Sequence, residues 1–254
     1  MDRLKGRVCV VAGVVGVLGE AVAKRFADEG GLVVGLDKID HAVGRLSLRA
    51  DLSDEHQVRT AYGKVWDEFG RLDVIYNNAG LIDREDGSAL DLSLEVWTRV
   101  MTANLTTAWL SCKHGIPLML RTEPTNGSVI NTASFLAGMG AASAQMAFNM
   151  AKAGVEQLSR DLGVQFARKG VRVNALALGP IETPQLRAVF DRIGPEEAQR
   201  RFIHMPLGRF GTVAELAATA AYLASDDAGF VTASRFPLSG GIQGAFTVPT
   251  EAVG

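Results

Sequence analysis

Glycine spacing gives the first chemical lead. The stretch Gly13-Val14-Val15-Gly16-Val17-Leu18-Gly19 follows an apolar β-branched run at 8–11 and precedes a segment of helical spacing at 20–28. A glycine-rich turn from strand into helix gathers backbone N–H groups at a helix N-terminus, which suits the pyrophosphate of a dinucleotide. The same turn without a ligand is the plainer alternative. Asp37 closes the next apolar run. A carboxylate there can accept both hydroxyls of an adenosine ribose and repel a 2′-phosphate, so NAD would be preferred to NADP. It reads equally well as a strand-end turn residue. Metal chemistry finds no support: His41, His56, His114 and His204 are scattered, and Cys9 and Cys112 lack ligand spacing. Glu196-Glu197 and Arg200-Arg201 stand four apart, as solvated pairs on a helix would.

These residues need a scaffold. Strand-like runs at 8–11, 32–36, 46–50, 72–76, 128–131, 171–176 and 234–238 alternate with helix-like segments at 20–28, 54–69, 94–120 (in two pieces), 144–168 and 212–223. Thr212-Val213-Ala214-Glu215 has capping-box spacing. Strand and helix in alternation, with short connections, specify an α/β fold: a single Rossmann-type, doubly wound parallel sheet with helices on both faces. Residues 1–254 read as one domain, with 181–204 as a helical excursion. The 26 Lys+Arg against 28 Asp+Glu, with no basic run, give no footprint for nucleic acid. The longest apolar run, at 8–18, is too short to cross a bilayer, and no signal peptide is visible. A cytoplasmic protein with a reduced, buried Cys9 is expected. Glycine is the compositional outlier, 28 of 254 residues against a usual ~7%.

Further motifs occur in a telling order: Asn77-Asn78-Ala79-Gly80 after the fourth strand, Asn104 within a helix, Ser134 after Asn131-Thr132-Ala133, and Lys152 opening Lys-Ala-Gly-Val. Val171-Arg172-Val173-Asn174, Gly179 to Thr183 and Leu238-Ser239-Gly240-Gly241-Ile242 follow. The set, spread over nearly the whole chain, resembles the short-chain dehydrogenase/reductase family. The resemblance implies hydride transfer with a nicotinamide dinucleotide. It implies that Ser134 orients the substrate oxygen, Lys152 lowers a tyrosine pKa and holds a ribose, and Asn104 positions a relay water. It places cofactor contacts at Gly13, Leu18, Gly19, Asp37, Asp51, Leu52, Asn78, Lys152 and Thr183.

The pattern fails where chemistry is most demanding. The family's tyrosine stands four residues before the lysine, and here that position is Phe148. Phenylalanine has no proton to give, and losing a general acid typically costs about 10²–10⁴ in rate. Tyr62, Tyr76 and Tyr222 belong to other elements. In the phosphate loop Ala12 stands for threonine and Val17 for the middle glycine, where a branched side chain should crowd the pyrophosphate. Gly16 is one place too early to compensate without a local backbone shift. Leu178 and Ser239 depart from the family as well.

Taken with the resemblance, these departures lead to an expected catalytically deficient subunit. It would scaffold an active paralogue in a heteromeric, tetrameric NAD-dependent dehydrogenase, with any NAD binding to this chain weakened or lost. Pairs of active and inactive chains occur in the family, including enzymes that oxidise β-hydroxyacyl-CoA thioesters. Two alternatives stay open: an NAD-dependent oxidoreductase that uses another acid, and a non-catalytic dinucleotide sensor.

Overall fold

Seven strands pair in parallel in the order β3-β2-β1-β4-β5-β6-β7. They are β1 (Val8–Ala12), β2 (Leu32–Asp37), β3 (Leu46–Arg49), β4 (Val74–Asn77), β5 (Gly127–Ser134), β6 (Val171–Leu178) and β7 (Arg235–Leu238). The computed structural model describes residues 2–140, 145–196 and 203–245. Every residue of β1, β4 and β5 is buried, as helix-covered parallel strands require.

The helices are α1 (Val17–Asp28), α2 (Glu55–Phe69), α3 (Leu94–Met101), α4 (Thr107–Arg121), α5 (Met146–Phe166), α6 (Pro184–Ile193) and α7 (Val213–Ala224). One sheet face packs on α1 and α7, where Phe26, Tyr76, Ile130, Leu216 and Leu223 form a core. The other face packs on α2 and α4, through Val58, Tyr62, Val65, Ile116 and Met119. A smaller cluster joins Ala108 and Val155 to Ala175 and Ala177 beneath α4 and α5. The sheet is therefore covered on both sides, as the alternation of elements requires. No described helix is long and apolar enough to cross a membrane.

Local signals explain most element ends. Asp54 caps α2 by accepting from Gln57 N at 3.1 Å. Thr212 and Glu215 form the reciprocal capping box of α7. The long segment 94–120 is one rod in which a π-helical turn, Thr102–Thr106, joins α3 to α4. Strand β5 runs on to Ser134 because it stays paired with β6 residue by residue up to Leu178. Within the expected excursion, α6 is present and Ile181 bridges Gly211. Positions 197–202, which include Glu197, Arg200 and Arg201, and Ala144 at the expected start of α5 lie outside the described residues.

The strand order reverses between β2-β1 and β4-β5. Ligands of open α/β sheets bind in the crevice at such a switch, beyond the carboxyl ends of the strands. Gly13, Asn78 and Gly80 stand there.

Candidate functional site

The glycine loop is fixed by the end of β2. Gly13 N and Val14 N both donate to Leu36 O, at 2.8 and 3.4 Å. Val15 N donates to Asp37 Oδ2 at 3.0 Å, and Ile39 N to Asp37 Oδ1 at 3.3 Å. Asp37 therefore braces the loop as well as closing its strand. A carboxylate oxygen accepts more than one hydrogen bond, so this bracing leaves acceptor capacity for a ribose diol. From the other side of the crevice Asn78 Nδ2 donates to Gly13 O at 2.9 Å, while Asn78 N and Ala79 N donate to Ala12 O.

Two of the loop glycines are required by packing. A Cβ on Gly13, whose φ is +81°, would lie 2.4 Å from Ala79 N, and one on Gly19 would lie 2.4 Å from Gly13 O. Helix α1 begins at Val17, has Gly16 as its N-cap and has no side-chain cap. Its first-turn amides face out of the helix end without partners of the i−4 kind, in the place where a dinucleotide phosphate would sit. Leu18 is part-buried against the α1 core and Val17 is 37% exposed.

Asp51 and Leu52 join this end of the crevice through Ala50 N, which donates to Asp37 O at 2.8 Å. Leu52 is buried. Ser53 donates to the Asp51 carboxylate from both N and Oγ, which holds it below the usual carboxylate range. Thr183 serves as the N-cap of α6, accepting from Leu186 N at 3.1 Å. The residues at hand fit a dinucleotide: an uncapped helix start, an acid at the end of β2 and an adjoining buried shelf.

The second group gathers around Gly80. Asn104, fully buried in the π turn, donates from Nδ2 to Leu81 O and Val100 O and accepts from Leu81 N. A Cβ on Gly80 would stand 2.7 Å from Asn104 Oδ1 and 3.5 Å from Lys152 Nζ, so only glycine fits between them. Lys152 donates to Thr132 O at 2.9 Å, and burial pushes its ammonium down to about 8. Ser134 lies two residues beyond Thr132 on β5, and its Oγ accepts from Leu136 N at 3.2 Å. Phe148 lies one turn before Lys152, packed with Trp97 against Val96, Val100 and Ala147. Tyr62 pairs with Ser111 in the core, Tyr76 packs edge-on against Phe26, and Tyr222 lies beside Phe236.

Three supports escaped the sequence reading. Asp86, buried in the loop after β4, accepts Ala147 N at 3.0 Å and Phe148 N at 2.9 Å and so caps α5. Arg235 on β7 binds Glu156 and Gln243, and Gln243 donates to Phe135 O just past Ser134. Thr132 contributes a main-chain oxygen, which no side-chain type announces. The partners of Asp86 are some sixty residues away in sequence, and no spacing rule reaches that far.

A family model described as enoyl-(acyl carrier protein) reductase matches residues 13–243. The chain belongs to the short-chain dehydrogenase/reductase family. This SDR chain is 33% identical to levodione reductase of Leifsonia aquatica over 96% of its own length and 97% of the relative's. It is 31% identical to the 3-oxoacyl-[acyl-carrier-protein] reductase FabG of Thermotoga maritima over 94% and 99%. The crystal structure of levodione reductase superposes with a TM-score of 0.85, 32% identity and coverage of 96% and 100%. Ligand-free aldohexose dehydrogenase of Thermoplasma acidophilum gives 0.87 at 26% identity, covering 98% and 99%. The SDR fold is thus the expected seven-stranded Rossmann-type sheet, and the chain is of the oxidoreductase type.

Proposed function

We propose that this SDR chain is a non-catalytic subunit of an NAD-dependent dehydrogenase, held in a heteromer with an active paralogue. The observation that carries the reading is Phe148. An SDR oxidoreductase moves a proton between a tyrosine phenol and the substrate oxygen while hydride passes to or from the nicotinamide. Here the ring at that position has nothing to ionise, and it lies against Lys152 within an apolar cluster. Ser134 and Asn104 remain, and neither can replace the acid: a serine hydroxyl barely ionises near neutrality, and Asn104 is held by the backbone of Leu81 and Val100.

Retention of the scaffold supports the partner. The long helices α4 and α5, through which the family assembles, keep exposed apolar residues: Trp109 on α4, and Met150 and Val164 on α5. Asp37 favours NAD over NADP by its charge. The pair we propose is of the hydroxy(phenyl)methylsuccinyl-CoA dehydrogenase kind, with this chain as the inactive subunit and the substrate bound on the partner.

The test is purification of the chain from its native source, with identification of what accompanies it. A tyrosine-bearing SDR paralogue in a stable complex is expected. A homo-oligomer with normal turnover on secondary alcohols or hydroxyacyl thioesters overturns the reading. One observation favours a second reading, an oxidoreductase in its own right: Lys152, pushed down to about 8, could exchange a proton near neutrality. Turnover by the purified chain, with an apparent pKa near 8 that disappears in Lys152→Met, would establish it instead.

A further inference from the structure

Lys152 is set in the fold without an acid to hold its charge. Its Nζ donates to Thr132 O at 2.9 Å, the one hydrogen bond it makes among the described residues. An ammonium has three N–H donors, so two of them have no protein acceptor. Asn104 Oδ1, across Gly80, is already taken by Leu81 N. The Phe148 ring, 5.7 Å from Nζ, is an apolar neighbour. A buried donor without a partner costs free energy, and the neutral amine has fewer donors to satisfy. Burial accordingly lowers Lys152 to about 8.

The amine is also within reach. Gly80 is exposed, and a Cβ on it would lie 3.5 Å from Nζ. No side chain at position 80 screens Nζ from the crevice. Lys152 as a whole is only 4% exposed, so the opening suits a small molecule and excludes a macromolecule.

A lysine desolvated among apolar groups is a nucleophile toward carbonyl carbon. We propose that Lys152 is a covalent capture site for a small aldehyde or ketone, held as a reversible imine. The neutral amine gives its lone pair to the carbonyl carbon, the C–O π bond breaks, and the oxygen takes up the proton that leaves nitrogen. The carbinolamine then loses its hydroxyl as water and the C=N bond forms. No oxidant or reductant is consumed. The site goes beyond the dehydrogenase-subunit reading and depends on neither a partner subunit nor NAD.

The experiment is reductive trapping on the full-length chain. Propanal is the probe, sodium cyanoborohydride is the external hydride source, and peptide mapping by mass spectrometry reads each lysine. Lys24 and Lys64, both exposed, serve as internal references. At pH 7 an amine at about 8 holds on the order of 10² times more neutral form than an ordinary lysine. Lys152 should therefore take the propyl group at least about tenfold faster than either reference at pH 7, and this selectivity should shrink toward pH 10. Gly80→Ala, shown to be folded by its thermal transition, should slow trapping at Lys152 by about tenfold or more and leave the references unchanged. If Gly80→Ala does not fold, the wild-type ratio and its pH dependence decide. Trapping at Lys152 no faster than at the references at pH 7 overturns the proposal, as does an unaltered rate in folded Gly80→Ala. Either failure leaves the Phe148 reading intact, because that is tested by the accompanying subunit.

Discussion

The Lys152 ammonium lies 5.7 Å from the centre of the Phe148 ring. Lysine and residue 148 thus stand one helical turn apart and side by side, and the phenylalanine has no ionisable group. The ring face can attract the cation, and the ring packs with Trp97 against Val96, Val100 and Ala147.

On the proposed reading, a phenol at position 148 should supply the proton transfer. Phe148→Tyr adds one oxygen to a part-buried ring on a helix already fixed by Asp86. Turnover of a secondary alcohol, followed as NADH absorbance, should rise by about 10²–10⁴ over the wild type. An unchanged rate in a variant that binds NAD would show that Ser134 or the substrate loop is also defective.

Lys152 should leave a signature in stability. Its value of about 8 lies below the ordinary 10.5 because burial disfavours the charge. Between those two pH values the unfolded chain binds the proton and the folded chain does not, so stability rises with pH across that window. The gain is at most about 1.4 kcal/mol per pH unit. Denaturant midpoints of wild type and Lys152→Met should therefore converge as the pH goes from 8 to 10, with the methionine variant ahead at pH 7. Parallel curves for the two proteins would contradict a buried, weakened ammonium.

Asp86 joins two distant segments by capping α5. Asp86→Ala should leave Ala147 N and Phe148 N without their acceptor, at about 2 kcal/mol. For a chain of this size that is a fall of about 4–8 °C in Tm. Asp86→Asn keeps one acceptor oxygen and should lose less. Equal Tm values for wild type and the alanine variant, by calorimetry, would rule out the cap.

Ala233 carries φ +54°, a left-handed conformation that costs a residue with a Cβ about 1 kcal/mol. Its backbone also faces Gly163 of α5 at close range: a Cβ on that glycine would lie 2.6 Å from Ala233 N. Ala233→Gly should raise stability by about 0.5–1 kcal/mol in urea unfolding, whereas Gly163→Ala should lower it through the clash.

Much of this was legible in the amino-acid order. The apolar runs at 8–11 and 32–36 fall within buried strands, and the Thr212–Glu215 spacing is a working capping box, because strand burial and helix caps are set by neighbours in sequence. The glycine spacing at 13 and 19 marks a strand-to-helix turn, and a Cβ at either would collide with backbone. Some boundaries needed partners. Strand β5 reaches Ser134 because β6 stays beside it, and the helix over 94–120 stays continuous because a π turn absorbs Asn104.

By itself, the sequence determined the alternation of strand and helix, the family, the acid at 37 and the absence of a phenol at 148. Those are properties of residue type and short spacing, which carry over directly into local structure. Only the tertiary structure decided what long-range contacts impose: Gly80 as the gap between Asn104 and Lys152, Asp86 as the cap of α5, Asp37 as the brace of the loop. It also decided that Gly16 takes φ 125° and ψ 161°, a conformation open to glycine. A dihedral angle is set by what the chain must reach on either side of it, here the end of β2 and the start of α1, and residue identity permits that angle without choosing it.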